Sequence, residues 1–441
     1  MRQLTALDAQ FLALENDRTH GHVGRVAVYD PSTAPGGRVT LDDLKRLLAE
    51  RMHLLAPFRW RLVQVPFGLD HPYWKDEEVD LDYHVRELAL PAPGDLRQLA
   101  DQSARIFERR LDRSRPLWEM YLIHGVEGDK IGLLTKVHHA ALDGMSGAEI
   151  LVTLLDLEPT GRQIPAPDPE LAVPESHPGR MELFARGLTA TPRHTARFLR
   201  RLPGTLPNLD LVPTIRSVPG VNMVASTARA VGGVLPGAEE VHVERRLAPK
   251  TALNRRISAH RRISLTSIPL SEIKRIKNHF GVTVNDVIVT ITAAAVREWL
   301  LVHDELPTDP LLAMIPVSVR LPEEFGTYGN RVSMMTVPIP TNEHDPERRL
   351  RLAHDWLDEA KARQETTPRM LIEEANEGIP PVLLSRTART LLSVASSGML
   401  NPPLNLVISN VPGSPVPLYC AGARLEANYP LSVITDGMGL N

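Results

Sequence analysis

The segment His138-His139-Ala140-Ala141-Leu142-Asp143-Gly144 gathers residue types from which a proton transfer can be built. A neutral imidazole titrates near neutrality and can take a proton from a hydroxyl or an amine. Asp143 stands four residues beyond His139 and can fold back across a tight turn, orienting a ring or locking the loop through an arginine. Gly144 relieves the backbone there if a positive φ is needed. Period-two alternation along 131–137 puts Leu133, Thr135, Val137 and, if the strand runs that far, His139 on one face. Leu134, Lys136 and His138 fall on the other, so the two rings point in opposite directions and only one meets a substrate. By composition alone such a pair is more often structural than catalytic. A metal site is a third reading, which the lack of an HExxH or cysteine ligand set disfavours. The chain has no GxSxG elbow, no Walker loop and no GxGxxG after a strand, so a serine acyl-enzyme and a nucleotide-driven reaction lose support.

The elements that must hold these residues alternate in type. Apolar residues at helical spacing predict helices over 41–52 (Leu41, Leu44, Leu47, Leu48, Met52) and 96–111. Residues 131–137 read as a strand after a Gly128-Asp129 turn, and 148–157 as a helix. Regular structure returns with a strand over 262–268, a helix over 271–280 and a long helix from Thr283, with Asn285 in its first turn and Asp286 suited to the helix dipole. Strands follow over 311–319, 332–339 and 404–409. This mixture predicts an α/β chain of sheets covered by helices.

Composition separates the halves. Residues 161–240 hold eleven of the 38 prolines, and 180–229 carry eight arginines against one Glu and one Asp. We therefore divide the chain into a histidine-bearing N-terminal domain (1–160), a Pro/Arg-rich linker (161–250) and a C-terminal domain (251–441). In the linker, 181–202 places Phe184, Leu188, Thr195, Phe198 and Leu202 near one helical face, with Arg186, Arg193, Arg197, Arg200 and Arg201 interspersed. Either this is a solvated helix packed on the body, or it lies on an anionic lipid surface.

With 441 residues, 43% of them hydrophobic and 23% charged, the composition is that of a soluble globular enzyme. A net charge of -3 leaves no positive excess for nucleic acid. The one cysteine, Cys420, can form no internal disulfide and fits a reducing, cytoplasmic location. Asp8, Gln10 and Glu15 interrupt the opening segment, which is not a signal peptide, and no apolar run approaches the roughly 18 residues of a spanning helix. Contact with a membrane or lipid droplet is expected to be peripheral.

HHxxxDG resembles the motif of the CoA-dependent acyltransferase superfamily, and an ordered set of further residues narrows the resemblance. Leu111-Asp112-Arg113 with Arg115-Pro116-Leu117-Trp118-Glu119, then Val284-Asn285-Asp286-Val287, Pro316-Val317-Ser318-Val319-Arg320, Gly329-Asn330 and Ser409-Asn410-Val411-Pro412-Gly413 are similar to motifs of the bacterial wax ester synthase / acyl-CoA:diacylglycerol acyltransferase family. The opening Leu4-Thr5-Ala6-Leu7-Asp8-Ala9 is similar to that family's N-terminal element. The family usually continues past the position of Asn441 with a strand pair and a closing helix; either this chain is shortened there or more chain follows.

The resemblance implies two chloramphenicol-acetyltransferase-like α/β domains, each a mixed sheet flanked by helices, with a tunnel between them. It implies transfer of a long chain from acyl-CoA to diacylglycerol or a fatty alcohol, with no cofactor and no metal. His139 is the implied base, alongside His138, Asp143 and Gly144, with Asn285, Asp286, Arg320, Asn330, Ser409 and Asn410 as substrate-binding candidates. A transferase for another lipid or secondary-metabolite alcohol is the alternative within the superfamily, and a silent lipid-droplet-binding protein is the alternative outside it. Replacing His139 by alanine is expected to abolish CoA release and leave the chain folded; near wild-type turnover in that variant with loss in His138→Ala would reverse the assignment.

Overall fold

The computed structural model describes residues 1–142, 147–166, 179, 181–189, 247–318, 332–366, 396 and 401–441. Asp143, Gly144, Arg320, Asn330 and most of 161–250 lie outside the described residues. The N-terminal half opens with strand β1 (Arg2–Gln3), helix α1 (Ala6–Leu14), strand β2 (His22–Asp30) and helix α2 (Leu41–Arg51). Helix α3 (Ala56–Arg59), strands β3 (Trp60–Val63) and β4 (Tyr73–Asp76), helix α4 (Leu81–His84) and strand β5 (Val85–Ala89) follow. Helix α5 (Leu96–Phe107) then leads to strands β6 (Trp118–Val126) and β7 (Lys130–His138) and helix α6 (Gly147–Leu154). A helix α7 covers 181–189. The later chain forms helices α8 (Leu270–Phe280) and α9 (Val284–Val302), strands β8 (Leu311–Ser318) and β9 (Val332–Ile339), helix α10 (Pro346–Thr366), and strands β10 (Leu406–Val407), β11 (Tyr419–Cys420) and β12 (Ala423–Leu431).

Local chemistry sets the helix starts. Thr40 and Asp43, Asp95 and Gln98, and Thr283 and Asp286 form reciprocal capping boxes at α2, α5 and α9. Gly281, at φ 70°, ends α8 in the left-handed conformation that a glycine adopts without steric cost.

The main sheet has the order β11-β12-β2-β7-β6-β5, with β5 parallel to β6 and the remaining pairs antiparallel. Its central strand β7 is covered on both faces. Leu133 and Val137 pack with Leu44, Leu47 and Leu48 of α2, while Leu134 packs with Leu99, Ile106 and Phe107 of α5. The period-two assignment along this strand therefore holds. A second sheet, β10-β8-β9, turns Leu311, Ala313, Ile315, Val337 and Ile339 toward Val289, Ala293 and Val296 of α9 and Ala353 and Leu357 of α10. A small sheet β1-β4-β3 completes the set. Strand β12, although late in sequence, runs antiparallel to β2 from Arg424↔Asp30 to Leu431↔Gly24 and so joins the sheet that carries the histidines.

Two expectations change. The stretch 262–268 is not assigned as a strand; Ile263 and Leu265 pack against the sheet face around α5, and Ser267 Oγ lies 3.1 Å from Tyr429 Oη. Alternation reports that every second side chain is buried, which packing on a face satisfies as well as a ladder does. The strand expected over 404–409 shortens to β10. Among the described residues, no single helix is long and apolar enough to cross a membrane.

The helix that follows the histidine turn is clamped at its far end. The Arg51 guanidinium, 1% exposed, donates to the Thr153 and Leu154 carbonyls of α6 at 3.1 and 2.9 Å and to Asp156 Oδ2 at 2.6 Å. Arg162 donates to the Val152 and Thr153 carbonyls at 2.8 Å. Cations at this terminus also complement the helix dipole. Removing one partner of a buried pair leaves the other uncompensated, so Arg51→Ala is expected to cost about 3–5 kcal/mol in urea denaturation. A loss below about 1 kcal/mol, the scale of an exposed pair, would refute the clamp.

Candidate active site

The histidines sit where β7 ends. The strand stops at His138, and His139 begins a 3-10 turn, His139–Leu142, so the different settings of the two rings come from the turn rather than from a continued alternation. The turn is fixed by backbone and ring contacts. His139 N–H donates to the Gly21 carbonyl at 2.7 Å, and its ring stacks on Phe11 of α1 with centroids 3.9 Å apart and planes 15° apart.

His138 is 1% exposed, with a hydrogen bond at Nδ1 and a carboxylate near Nε2. Its Nδ1 accepts the Ala140 N–H at 3.1 Å, which leaves a ring proton on Nε2, 3.2 Å from Glu15 Oε1. Gly21 passes so close that a Cβ there would lie 2.7 Å from His138 Nε2. Among the described residues, no side chain hydrogen-bonds the His139 ring, and its buried Nδ1 has no hydrogen-bond partner.

Glu15 joins the separate pieces. Its Oε1 accepts the Gly21 N–H at 2.9 Å and lies 3.9 Å from His22 Nε2, and its Oε2 accepts from Arg113 Nη2 at 2.5 Å. Arg113 also donates to the Leu12 carbonyl at 2.9 Å. Burial alone would raise the Glu15 carboxyl, but His138, the Gly21 N–H and Arg113 outweigh it and hold the group well below the usual carboxylate range. Burial, reinforced by His138, pushes the His139 ring down to about 4. Burial and then the Arg261 charge bring His20 to about 4, and burial with Lys136 holds His22 well below its ordinary value. His139 is therefore an uncharged imidazole at neutral pH, next in sequence to the histidine that contacts the ionised Glu15 carboxylate.

Lys136 serves the scaffold. Fully buried, it donates to the Ile106 carbonyl in the last turn of α5 and to the Arg109 carbonyl just after it and lies 3.7 Å from Glu119, and burial lowers it to about 8. The Trp118 indole lies between Phe58 and His84, each with centroids 4.5 Å away, and donates to the Phe58 carbonyl at 2.8 Å. With Leu117 accepting the His138 N–H at 2.9 Å, the Pro116-Leu117-Trp118 element packs β6 and holds the end of β7.

The remaining candidates are dispersed. Asp286 is fully buried, and its Oδ2 accepts the Thr283 N–H at 2.8 Å and lies 2.8 Å from His354 Nδ1, so it ties α9 to α10. Asn285, one residue earlier, is half-buried, and Ser409 and Asn410 are exposed beyond β10. A cavity of about 860 Å³, lined by Thr40, Glu87, His124 and Lys130, lies at the opposite end of the main sheet from the histidines. Among the described residues, no group of three or more His, Cys, Asp or Glu side chains is placed to hold a metal.

Sequence reasoning missed Glu15, Phe11 and Gly21. Their signal was present but faint: a carboxylate closing an apolar helical segment, then a glycine between two histidines at His20-Gly21-His22.

Residues 4–288 match the wax ester synthase/diacylglycerol acyltransferase catalytic domain, and residues 328–441 match the WS/DGAT C-terminal domain. A Mycobacterium tuberculosis protein, named provisionally as a diacylglycerol O-acyltransferase, is 32% identical over 445 residues, spanning 100% of this chain and 82% of the relative. A second one from that organism is 33% identical over 446 residues, spanning 99% and 90%. The solved wax ester synthase/diacylglycerol acyltransferase from Marinobacter aquaeolei VT8 superposes with a TM-score of 0.67 at 27% identity, covering 99% of this chain and 89% of its own. The first condensation domain of the CDA synthetase, at TM-score 0.50, 13% identity and coverage of 99% and 87%, shares the fold alone. Both domain models fall in order along one chain whose paired histidines lie at the turn described above, and the chain belongs to the wax ester synthase/diacylglycerol acyltransferase family, an acyltransferase of that type.

Proposed function

We propose that this chain moves a long acyl group from acyl-CoA to the hydroxyl of diacylglycerol or of a fatty alcohol, with His139 as general base and no covalent acyl-enzyme. The observation that carries the reading is the contrast between the two rings. His138 is hydrogen-bonded at Nδ1 and lies 3.2 Å from the Glu15 carboxylate at Nε2, whereas His139 is neutral, stacked on Phe11 and free of hydrogen bonds from the side chains of the described residues.

In the proposed reaction His139 takes the acceptor's proton as its oxygen attacks the thioester carbonyl. The tetrahedral intermediate collapses, the C–S bond breaks, and the CoA thiolate takes the proton back from the imidazolium. The oxygen that becomes negative needs a fixed donor, a role we assign to the Gly144 N–H and the Asn285 amide. Asp143, paired with Arg320, fixes the turn. Ser409 and Asn410, with Asn330, are left to meet the polar parts of the substrates. Apolar walls hold the acyl chain at about 0.8 kcal/mol per buried CH₂, so long chains need few polar contacts. We place the enzyme at a lipid surface as a peripheral visitor, since its acceptor and product barely dissolve in water.

The deciding assay is CoA release from palmitoyl-CoA with diacylglycerol and hexadecanol offered separately; lipid binding without CoA release from either would leave a silent binding protein. Glu15→Gln removes the charge that orients His138 and is expected to lower kcat by up to about a hundredfold with little change in KM, because a small misplacement of the turn suffices. Unchanged kcat in that variant would remove Glu15 from the positioning network. The pH dependence of stability has a definite sign. His139 and His20 are held at about 4 against an ordinary 6.5, so between those values the unfolded chain binds more protons than the folded one. Their stabilising contribution is complete above 6.5 and is lost as pH falls toward 4, which thermal melts across that window check; melts unchanged there would contradict the neutral rings.

A further inference from the structure

An imidazole that takes a proton becomes a cation, and the described surroundings of His139 offer that cation little. Burial and the neighbouring His138 oppose a positive charge on the ring, while the pull of its own backbone carbonyl works the other way. The Glu15 carboxylate is engaged with Gly21, Arg113 and His138. Among the described residues no side chain hydrogen-bonds the His139 ring. A buried charge without a matching partner is costly, and a step that creates one is slowed accordingly.

What meets the ring is the face of Phe11. The two rings lie nearly parallel, with planes 15° apart and centroids 3.9 Å apart. Among the described residues this is the closest pairing of a histidine with another ring; Trp299 with His303 is at 4.1 Å and Trp118 with His84 at 4.5 Å. Two neutral aromatic rings prefer an offset stack or an edge-on contact with centroids about 4.5–7 Å apart, because the faces of both π systems are negative. A positive charge on one ring reverses the preference, since the negative face of the other then attracts it. The close parallel contact of Phe11 and His139 suits the protonated ring better than the neutral one.

The contact is held from both sides. Leu12 of α1 and Leu4 just before it are buried in the main core, and Arg113 fastens the far end of the helix through the Leu12 carbonyl. Gly21 lies between the two backbones. Its carbonyl accepts the His139 N–H at 2.7 Å, and a Cβ on it would lie 3.4 Å from the Phe11 carbonyl oxygen. The ring on the turn therefore cannot draw away from the ring on the helix without breaking one of these contacts. We infer that the π face of Phe11 stabilises the protonated form of the His139 ring, the form it takes on receiving the acceptor's proton. An attraction that is weak for the neutral ring and strong once the proton has moved lowers the barrier rather than tightening substrate binding. Burial keeps the ring uncharged between turnovers, and Phe11 offsets part of the cost when the charge forms. This deepens the proposed acyl transfer and rests on that reading for His139 as the base.

The test replaces Phe11 by mono-, di-, tri- and pentafluorinated phenylalanine. The series nearly keeps the size of the ring while withdrawing its negative face step by step, so a packing role is left alone and a π role is not. Two quantities are followed. One is kcat for CoA release from palmitoyl-CoA with hexadecanol; the other is the onset of His139 protonation between about pH 7 and pH 5, from NMR of protein carrying carbon-labelled histidine, with His139→Ala identifying the signal. The expected result is a kcat that falls in step with fluorination to about a tenfold loss at the pentafluorinated ring, with KM little changed. Protonation should begin at lower pH in the same order, by about one unit at the end of the series. Phe11→Leu, which keeps bulk without a π face, should fall beside the pentafluorinated protein in both quantities. Protonation that begins at the same pH throughout the series overturns the inference, whatever turnover does. Graded protonation with a kcat that does not follow it keeps the π contact and removes His139 from the role of base, which separates failure of that reading from failure of the inference.

Discussion

The buried carboxylate of Glu15 is the interaction on which the arrangement of the site depends. Its side chain is 8% exposed, and an ion taken out of water at that depth costs several kcal/mol unless its oxygens are matched. The matches come from different parts of the chain: the Gly21 N–H before β2, Arg113 before β6, and His138 at the end of β7. Each partner is thereby drawn to the end of α1. The pairing His22↔His138 in the sheet, the 2.7 Å bond from His139 N–H to Gly21, and the stacking of Phe11 on the His139 ring all fall within the same few residues. A shift of one of them would unseat the others, and Gly21 leaves no room for a side chain to cushion the change.

That network shows why some of the site was legible in the chain and some was not. The strand β7 and helix α6 on either side of the motif follow from periodicity, and the capping boxes at α2, α5 and α9 are local signals confined to four residues. Asp286 was legible as a helix-start residue, but its bond to His354, 68 positions away, was not. Glu15 announced nothing by itself, because a glutamate ending a short apolar helix is ordinarily a solvated one. Its partners are 6, 98 and 123 positions away, and only the fold assembles them. The stretch 262–268 failed for the opposite reason: its alternation is real, but a sheet face absorbs it without a ladder.

The order of strands in the main sheet has a mechanical consequence. Because β12 pairs with β2, the last part of the chain is built into the sheet whose central strand ends at His138. Further contacts fasten the same junction: Arg18 to Asp436 at 3.3 Å, the Arg261 guanidinium to the Arg18 carbonyl, and Asp156 to Tyr419 through paired backbone bonds of 2.8 Å. Asp156 also receives Arg51, so the clamp on α6 and the attachment of β11 share one residue. The helix leaving the histidine turn is thus tied at its far end both to α2 and to the C-terminal strands.

A base held near 4 looks weak for a hydroxyl, and complete proton transfer ahead of attack would be steeply uphill. On the proposed route that step is not needed. The hydroxyl becomes acidic only as its oxygen bonds to the thioester carbon, so the proton moves with the attack. The low value then helps the second half of the reaction. A thiol has an ordinary pKa of about 8.5, so return of the proton from an imidazolium near 4 to the departing thiolate is downhill by several powers of ten. The burial that lowers His139 also keeps it uncharged and ready at neutral pH. On the proposed route the two histidines take different tasks, one orienting the turn and the other taking a proton from the acceptor and passing it to the thiolate.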